Sequence, residues 1–357
     1  MAEAVSSLNC EITIVGRKRG DCCDNNAVPF KTKRFRMLFK RGYFFYKFFN
    51  IRLFIFLLFH KYDLLVSNDL DTLLPNFLVA KLKDIPLVYD SHEYFTGVPE
   101  IQNRPVVKWV WLTIEQMIFP HLKFVITVNE SIANLYASQY NVRPSVIRNC
   151  SPKTEGIIPF DRNDLGVGND HLLIIIQGAG INIDRGGEEL IEAVSMTENV
   201  SLLVVGGGDV LETLKRKVME KDLEGRVKFF GKVQWKELMR YTKSADAGIT
   251  IDKDTNPNYR YSLPNKLFDY FTSGIPVIAS NLPEVRKIVT GYKCGVIIPG
   301  VTPEEISLAI QQLRDNPDLL SELKRNAVIA SESENWEKES LKVIGFYENV
   351  LKNIFNI

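Results

Sequence analysis

Short apolar runs alternate with helical patterns along most of this chain, and that alternation restricts it to an α/β fold with parallel sheets. Runs suited to strands fall near 11–15, 64–67, 87–89 and 124–128, with a further short one near 145–148. A second set falls near 172–177, 202–205, 227–230, 248–251, 277–279 and 295–298. Between the sets, 149–170 holds Pro152, Pro159 and three glycines and shows little periodicity. With 357 residues there is room for two domains. The expected division is a Rossmann-like domain over 1–150, a linker over 151–170 and a second Rossmann-like domain over 171–335. In 336–357, Trp336, Leu341, Ile344, Tyr347 and Leu351 recur at helical spacing, which predicts a closing amphipathic helix.

Bulk composition excludes several classes. A formal net charge of +1 gives no reason to expect a nucleic-acid partner. The five cysteines (Cys10, Cys22, Cys23, Cys150 and Cys294) are odd in number and form no CxxC pair. They point to a reducing compartment and away from a disulfide framework or a structural zinc. Residues 1–20 lack a basic start followed by an apolar core, so a cytoplasmic protein is expected. Charge is nevertheless uneven. Residues 31–61 carry nine Lys and Arg and no Asp or Glu, interleaved with phenylalanine and tyrosine. The longest uncharged part, 53–59, is short against the about 20 residues of a membrane span. Two readings of 31–61 stand: a helix packed on the sheet with its basic residues outside, or a basic, aromatic face on the inner, anionic side of a membrane.

The stretch 261–280, YSLPNKLFDYFTSGIPVIAS, reads as a helix start, a short helix, a glycine stop and a buried strand. Ser262 suits a cap, Pro264 the first helical position, and Gly274 the left-handed residue after the last turn. A helix opening with Asn265 and Lys266 offers N–H groups, a positive dipole end and an ammonium to a phosphate. Asp269, three residues on, shares a helix face with Lys266 and suits sugar hydroxyls. This stretch closely resembles the donor-binding segment of retaining GT-B glycosyltransferases, the family 4 group also called glycosyl transferases group 1, in the subset carrying PNK. Most of that family has two glutamates eight positions apart. Here Tyr261 stands at the first position and Asp269 at the second.

The resemblance implies a GT-B fold: two Rossmann-like domains with parallel sheets facing an interdomain cleft, the second binding the donor, and a C-terminal helix crossing back to the N-terminal domain. It also gives meaning to QGAGINIDRGGE at 177–188, a strand, a turn containing Gly178 and Gly180, and a helix beginning near Gly187. In the family an Arg and a Lys six apart after this strand hold the donor diphosphate. This chain has Ala179 at the first position and Arg185 at the second, with Lys266 the expected replacement cation. A further glycine turn, 206–209, is expected to be mostly architectural. In the first half, VYDSHEY at 88–94 ends a predicted parallel strand, the end at which such sheets bind ligands. It resembles a DSHE segment in a branch of the same family, which implies His92 near the reaction centre. Asp90 and Glu93 would orient it or receive the acceptor proton. Asp71, at the same sheet edge, is the candidate for holding an acceptor hydroxyl. In the family the pair that opens this chain, 2–7 followed by CEITIVGR, is the second unit, so the first strand is expected to be lacking and the start truncated or misassigned.

The activity implied is transfer of a sugar from a nucleotide-diphosphate sugar to an acceptor hydroxyl with retention, in surface polysaccharide or glycolipid assembly. The acceptor would be a saccharide or a lipid-linked saccharide. No metal ion or other cofactor is expected, because Lys266 and Arg185 neutralise the phosphates and no histidine has a partner at metal-ligand spacing. Two rivals stay open. A GT-B nucleotide-sugar 2-epimerase shares the architecture and typically carries more acidic residues and histidines. A catalytically weak, sugar-nucleotide-binding partner subunit would account for Tyr261, Ala179 and the lacking strand. A dinucleotide dehydrogenase is disfavoured, since no GxGxxG with a downstream acid follows a predicted strand.

Overall fold

The computed structural model describes residues 1–18, 29–168 and 170–355, so that Cys22 and Cys23 lie outside the described residues. The chain divides into two compact units, Met1–Arg148 with Ser340–Ile357, and Asn149–Glu339.

In the first unit β1 (Thr13–Arg17) pairs in parallel with β2 (Lys31–Phe35). A second sheet joins β3 (Leu65–Asn68), β4 (Leu87–Ser91), β5 (Phe124–Thr127) and β6 (Ser145–Val146) in that order, all parallel. The basic segment 31–61 therefore holds two elements: the strand β2 and the helix Gly42–Phe59. Phe45, Phe49, Leu53 and Leu57, four residues apart, form the helix's buried stripe against Phe35 and Leu65. Phe44, Phe48, Ile51, Ile55 and Phe59 on the same helix are exposed. Its 18 residues have a mean hydropathy of 1.4, long and apolar enough by length and composition to cross a membrane, although the buried stripe packs within this unit. Residues 340–355 of the helix Trp336–Phe355 belong here too, with Phe346 edge-on to Phe124.

The second unit holds β7 (Leu172–Gly178), β8 (Val200–Gly206), β9 (Val227–Phe230), β10 (Ala247–Thr250), β11 (Val277–Ser280) and β12 (Gly295–Ile298). Their spatial order is β12-β11-β10-β7-β8-β9, and every neighbouring pair is parallel. Strand β7 shows why the sheet is covered on both faces. Leu172, Ile174 and Ile176 feed one apolar cluster, Leu173 and Ile175 the other. Burying each such side chain stabilises by about 1.5–3 kcal/mol. After β9 the chain crosses back to β10 beside β7, so sheet growth reverses between these two strands. Ligands of open α/β sheets bind beyond the carboxyl ends at that reversal.

Residues 149–168 are tied to this unit. Lys243 Nζ donates to the carbonyls of Thr154 (2.7 Å) and Ile157 (3.2 Å), and Arg162 pairs with Asp246 at 2.6 Å. The helix Asn265–Thr272 packs on the sheet through Leu267, Phe268, Tyr270 and Phe271. The ring of Tyr270 occupies the space a side chain at Gly248 would need, and its hydroxyl donates to the carbonyl of Ile249 at 3.0 Å. Gly274 ends the helix with φ 73°, as its position required.

Candidate active site

In the second unit the loops after β7 and β8 lean on each other. Gly178 has φ 144° and is the register partner of Gly206; a Cβ at Gly206 would collide with the Gly178 carbonyl, and one at Gly208 with the Ile181 carbonyl. Backbone bonds Gly207 N–H to Gly178 O (3.0 Å) and Ile181 N–H to Gly207 O (2.8 Å) close the contact. The 206–209 turn is thus a brace, and Asp209 extends it by accepting from the Ile183 N–H at 3.1 Å. Gly180 differs: its φ is ordinary, and an added Cβ would meet only Asn182 at van der Waals distance. The fold does not demand glycine there, which leaves its backbone open to close approach by a ligand.

Two left-handed residues, Asp184 (φ 63°) and Gly186 (φ 72°), then turn the chain into the helix Gly187–Ser195. Gly186 has no room for a side chain against Ile251. Between them Arg185 reaches across to Asp252, just past β10, with Nη1 2.8 Å from Oδ2. The guanidinium also lies 4.8 Å from the centre of the Tyr259 ring. Lys266, in the first turn of Asn265–Thr272, brings Nζ to 3.9 Å from Oδ1 of the same carboxylate. Asp252 is 1% exposed and Lys266 11%. Burial lowers the Lys266 pKa; Asp252 opposes that shift and Arg185 adds to it. Two basic side chains from separate segments therefore share one buried carboxylate at the β7–β10 reversal.

The remaining donor-side candidates fall differently. Asn265 is exposed at the helix start. Ser262 does not cap that helix: its Oγ donates to the Tyr259 carbonyl at 2.9 Å, and Pro264 is the residue before the first helical turn rather than its first member. Asp269 is buried, and its carboxylate accepts from Ser151 Oγ (2.5 Å), Gln177 Nε2 (2.9 Å) and Trp235 Nε1 (3.2 Å). Burial raises its pKa against these three bonds. Both oxygens are engaged inside the unit, so Asp269 ties the helix Asn265–Thr272 to Ser151, Gln177 and Trp235.

In the first unit the ends of β3 and β4 gather the other candidates. His92 Nε2 lies 3.3 Å from Asp90 Oδ2, with Asp90 buried and the imidazole 43% exposed. That bond to Asp90 raises the His92 pKa to about 9 against the opposing effect of burial. Ser91 Oγ donates to the Glu93 carbonyl at 2.9 Å, shaping the turn that carries both residues. Asp71 is half-buried in the first turn of the helix Leu70–Lys83, and burial, then Asp69, raises its pKa to about 6. Asp69 Oδ1 accepts from the His92 backbone N–H at 2.9 Å. Its backbone angles, φ 56° and ψ 169°, lie where residues other than glycine incur about 1–3 kcal/mol.

Sequence reasoning gave no role to Asp69 or Asp252. Asp252 carried two signals, its place after the apolar run 248–251 at the ligand-binding end of a parallel strand and its DxD spacing with Asp254. Among the described residues, no three His, Cys, Asp or Glu side chains gather where they could hold a metal ion.

Two family profiles match. Glycosyltransferase Family 4 covers residues 1–150, and Glycosyl transferases group 1 covers 160–329. A lipopolysaccharide core biosynthesis glycosyltransferase of Rhizobium meliloti is 28% identical over 165 residues, 46% of each chain. The match thus spans less than half the length of that curated relative. Sucrose-phosphate synthase from Thermosynechococcus elongatus superposes with a TM-score of 0.78 at 19% identity, covering 98% of this chain and 92% of that one. Anabaena HepE in complex with UDP-glucose gives 0.70 at 18%, covering 90% and 86%. These structures share the GT-B fold with this chain.

Proposed function

Because the chain belongs to the GT-B glycosyltransferases, we propose that it moves a sugar from a nucleoside-diphosphate sugar to an acceptor hydroxyl with retention of anomeric configuration. One observation carries this reading: Arg185 and Lys266 converge on Asp252 at the β7–β10 reversal. Two basic side chains there suit a diphosphate that gains negative charge as the sugar departs. The bond from the anomeric carbon to the diphosphate oxygen breaks as the acceptor oxygen bonds to that carbon. The acceptor proton passes to the departing diphosphate oxygen, on the face the diphosphate leaves. Asp90 holds His92 protonated near neutrality, so its role is to donate a hydrogen bond to the transferred sugar. Asp71 receives the acceptor hydroxyl. With the two cations supplying the charge, transfer proceeds in the presence of a chelator.

The lipopolysaccharide role of the Rhizobium relative and the UDP-glucose complex of HepE support a saccharide or lipid-linked acceptor and a nucleotide sugar donor. The exposed Phe44, Phe48, Ile51, Ile55 and Phe59, set among Lys40, Arg41, Lys47 and Arg52, support a peripheral seat on an anionic membrane, where a lipid-linked acceptor resides. The test is a thermal-shift screen of nucleotide sugars followed by product analysis by NMR. A ligand at about 100 times its dissociation constant stabilises the fold by about 2.7 kcal/mol. Absence of any stabilising nucleotide sugar, or a product of inverted configuration, overturns the reading.

A further inference from the structure

Asp69 departs from what its position asks of it. It immediately precedes the helix Leu70–Lys83, where an aspartate ordinarily takes extended backbone angles and accepts from an N–H of the first turn. Here its side chain caps nothing, and φ 56° with ψ 169° is a combination essentially reserved to glycine. The geometry serves a bond elsewhere. Oδ1 accepts from the His92 N–H at 2.9 Å, while the Asp69 N–H donates to the Asp90 carbonyl at 2.9 Å. Asn68 and Asp90 are register partners, so Asp69 joins the end of β3 to the turn after β4. Asp90, Asp69 and Glu93 all favour the charged imidazole, and Asp69 acts on Asp71 as a like charge.

We propose that Asp69 is the positioning residue for His92, its carboxylate fixing the turn after β4 so that the imidazole meets Asp90 and the transferred sugar. An aspartate that gives up both its cap and a relaxed backbone for one bond to His92 is spending its conformation on that histidine's place. This rests on the transferase reading above, and deepens it by naming what holds its reaction-centre residue.

Three variants of the full chain separate the parts. Asp69→Asn keeps an acceptor oxygen, Asp69→Ala removes it and keeps the strained angles, and Asp69→Gly removes it while relieving them. Each is followed by thermal unfolding, by NMR titration of His92, and by kcat and KM for cleavage of UDP-glucose. Asp69→Gly is expected to melt above Asp69→Ala, and its His92 midpoint to move from about 9 back toward the ordinary 6.5. Its kcat should fall about tenfold or more with donor KM unchanged, and Asp69→Asn should restore both. A folded Asp69→Gly protein with unaltered His92 titration and turnover overturns the proposal. If the unaltered protein neither binds nor cleaves nucleotide sugars, the transferase reading fails, and the His92 titration still judges Asp69.

Discussion

Arg185 and Lys266 reach one carboxylate from two segments, Nη1 standing 2.8 Å and Nζ 3.9 Å from the two oxygens of Asp252. On the proposed reading the donor diphosphate lies beyond β7 and β10, within reach of both. Replacing either cation with alanine should weaken UDP binding by about 1–3 kcal/mol, the loss typical of a charged hydrogen bond. Isothermal calorimetry measures it, and unchanged affinity in both variants would remove the pair from the site.

Two glycines in neighbouring turns should respond in opposite ways. Gly208→Ala forces the Ile181 backbone to move and should destabilise the protein by about 2 kcal/mol or more. Gly180→Ala meets only Asn182 at ordinary distance and should leave stability within about 0.5 kcal/mol while weakening UDP binding. Thermal unfolding and calorimetry on the two proteins decide whether Gly180 is reserved for a ligand.

The His92–Asp90 contact makes stability fall in alkali. The His92 pKa is raised to about 9 from 6.5, chiefly by its bond to Asp90. Its contribution is fully present below about pH 6.5 and is lost as pH rises through about 9. Asp90→Asn should flatten the melting temperature across pH 7–9. A parallel decline in both proteins would disprove the coupling.

Glu115 should act in the same direction over a lower range of pH. It is fully buried on the helix Pro105–Ile118, accepts from Tyr140 at 2.6 Å and Thr96 at 3.4 Å, and burial raises its pKa from 4.5 to about 7. The folded state keeps a proton that the unfolded chain has already released, so stability falls as pH rises from about 4.5 to about 7. Glu115→Gln keeps an acceptor for Tyr140 and should remove that slope, gaining on the unaltered protein at pH 8 relative to pH 5 in urea unfolding.

The exposed face of Gly42–Phe59 should bind vesicles containing phosphatidylglycerol more tightly than neutral ones, with affinity falling as salt rises. Phe48→Asp, at a position open to solvent, should abolish co-sedimentation without unfolding the protein. Equal sedimentation of the variant would rule this face out.

Legibility followed burial. Strands β7 and β11 lie within a residue of where the apolar runs set them, because a strand covered on both faces writes a continuous apolar run. Strand β2 was illegible: in KTKRF only Phe35 is buried, and basic residues on its exposed positions hide the pattern. At the site the cations were legible as residue types beside a helix start and a glycine turn. Their meeting on Asp252 was not, since it joins three separate segments. The partners of Asp269 were illegible for the same reason. Local spacing put it beside Lys266, but Ser151, Gln177 and Trp235, brought close only by the fold, draw the carboxylate inward.

Tyr270 wedges into the gap left by Gly248, and it stands one helical turn beyond Lys266. A helix keyed to its sheet in this way can neither slide nor roll, so the ammonium is presented at a set height. Enlarging Gly248 would therefore displace Lys266 from beneath, through the floor, with Arg185 and Asp252 left untouched.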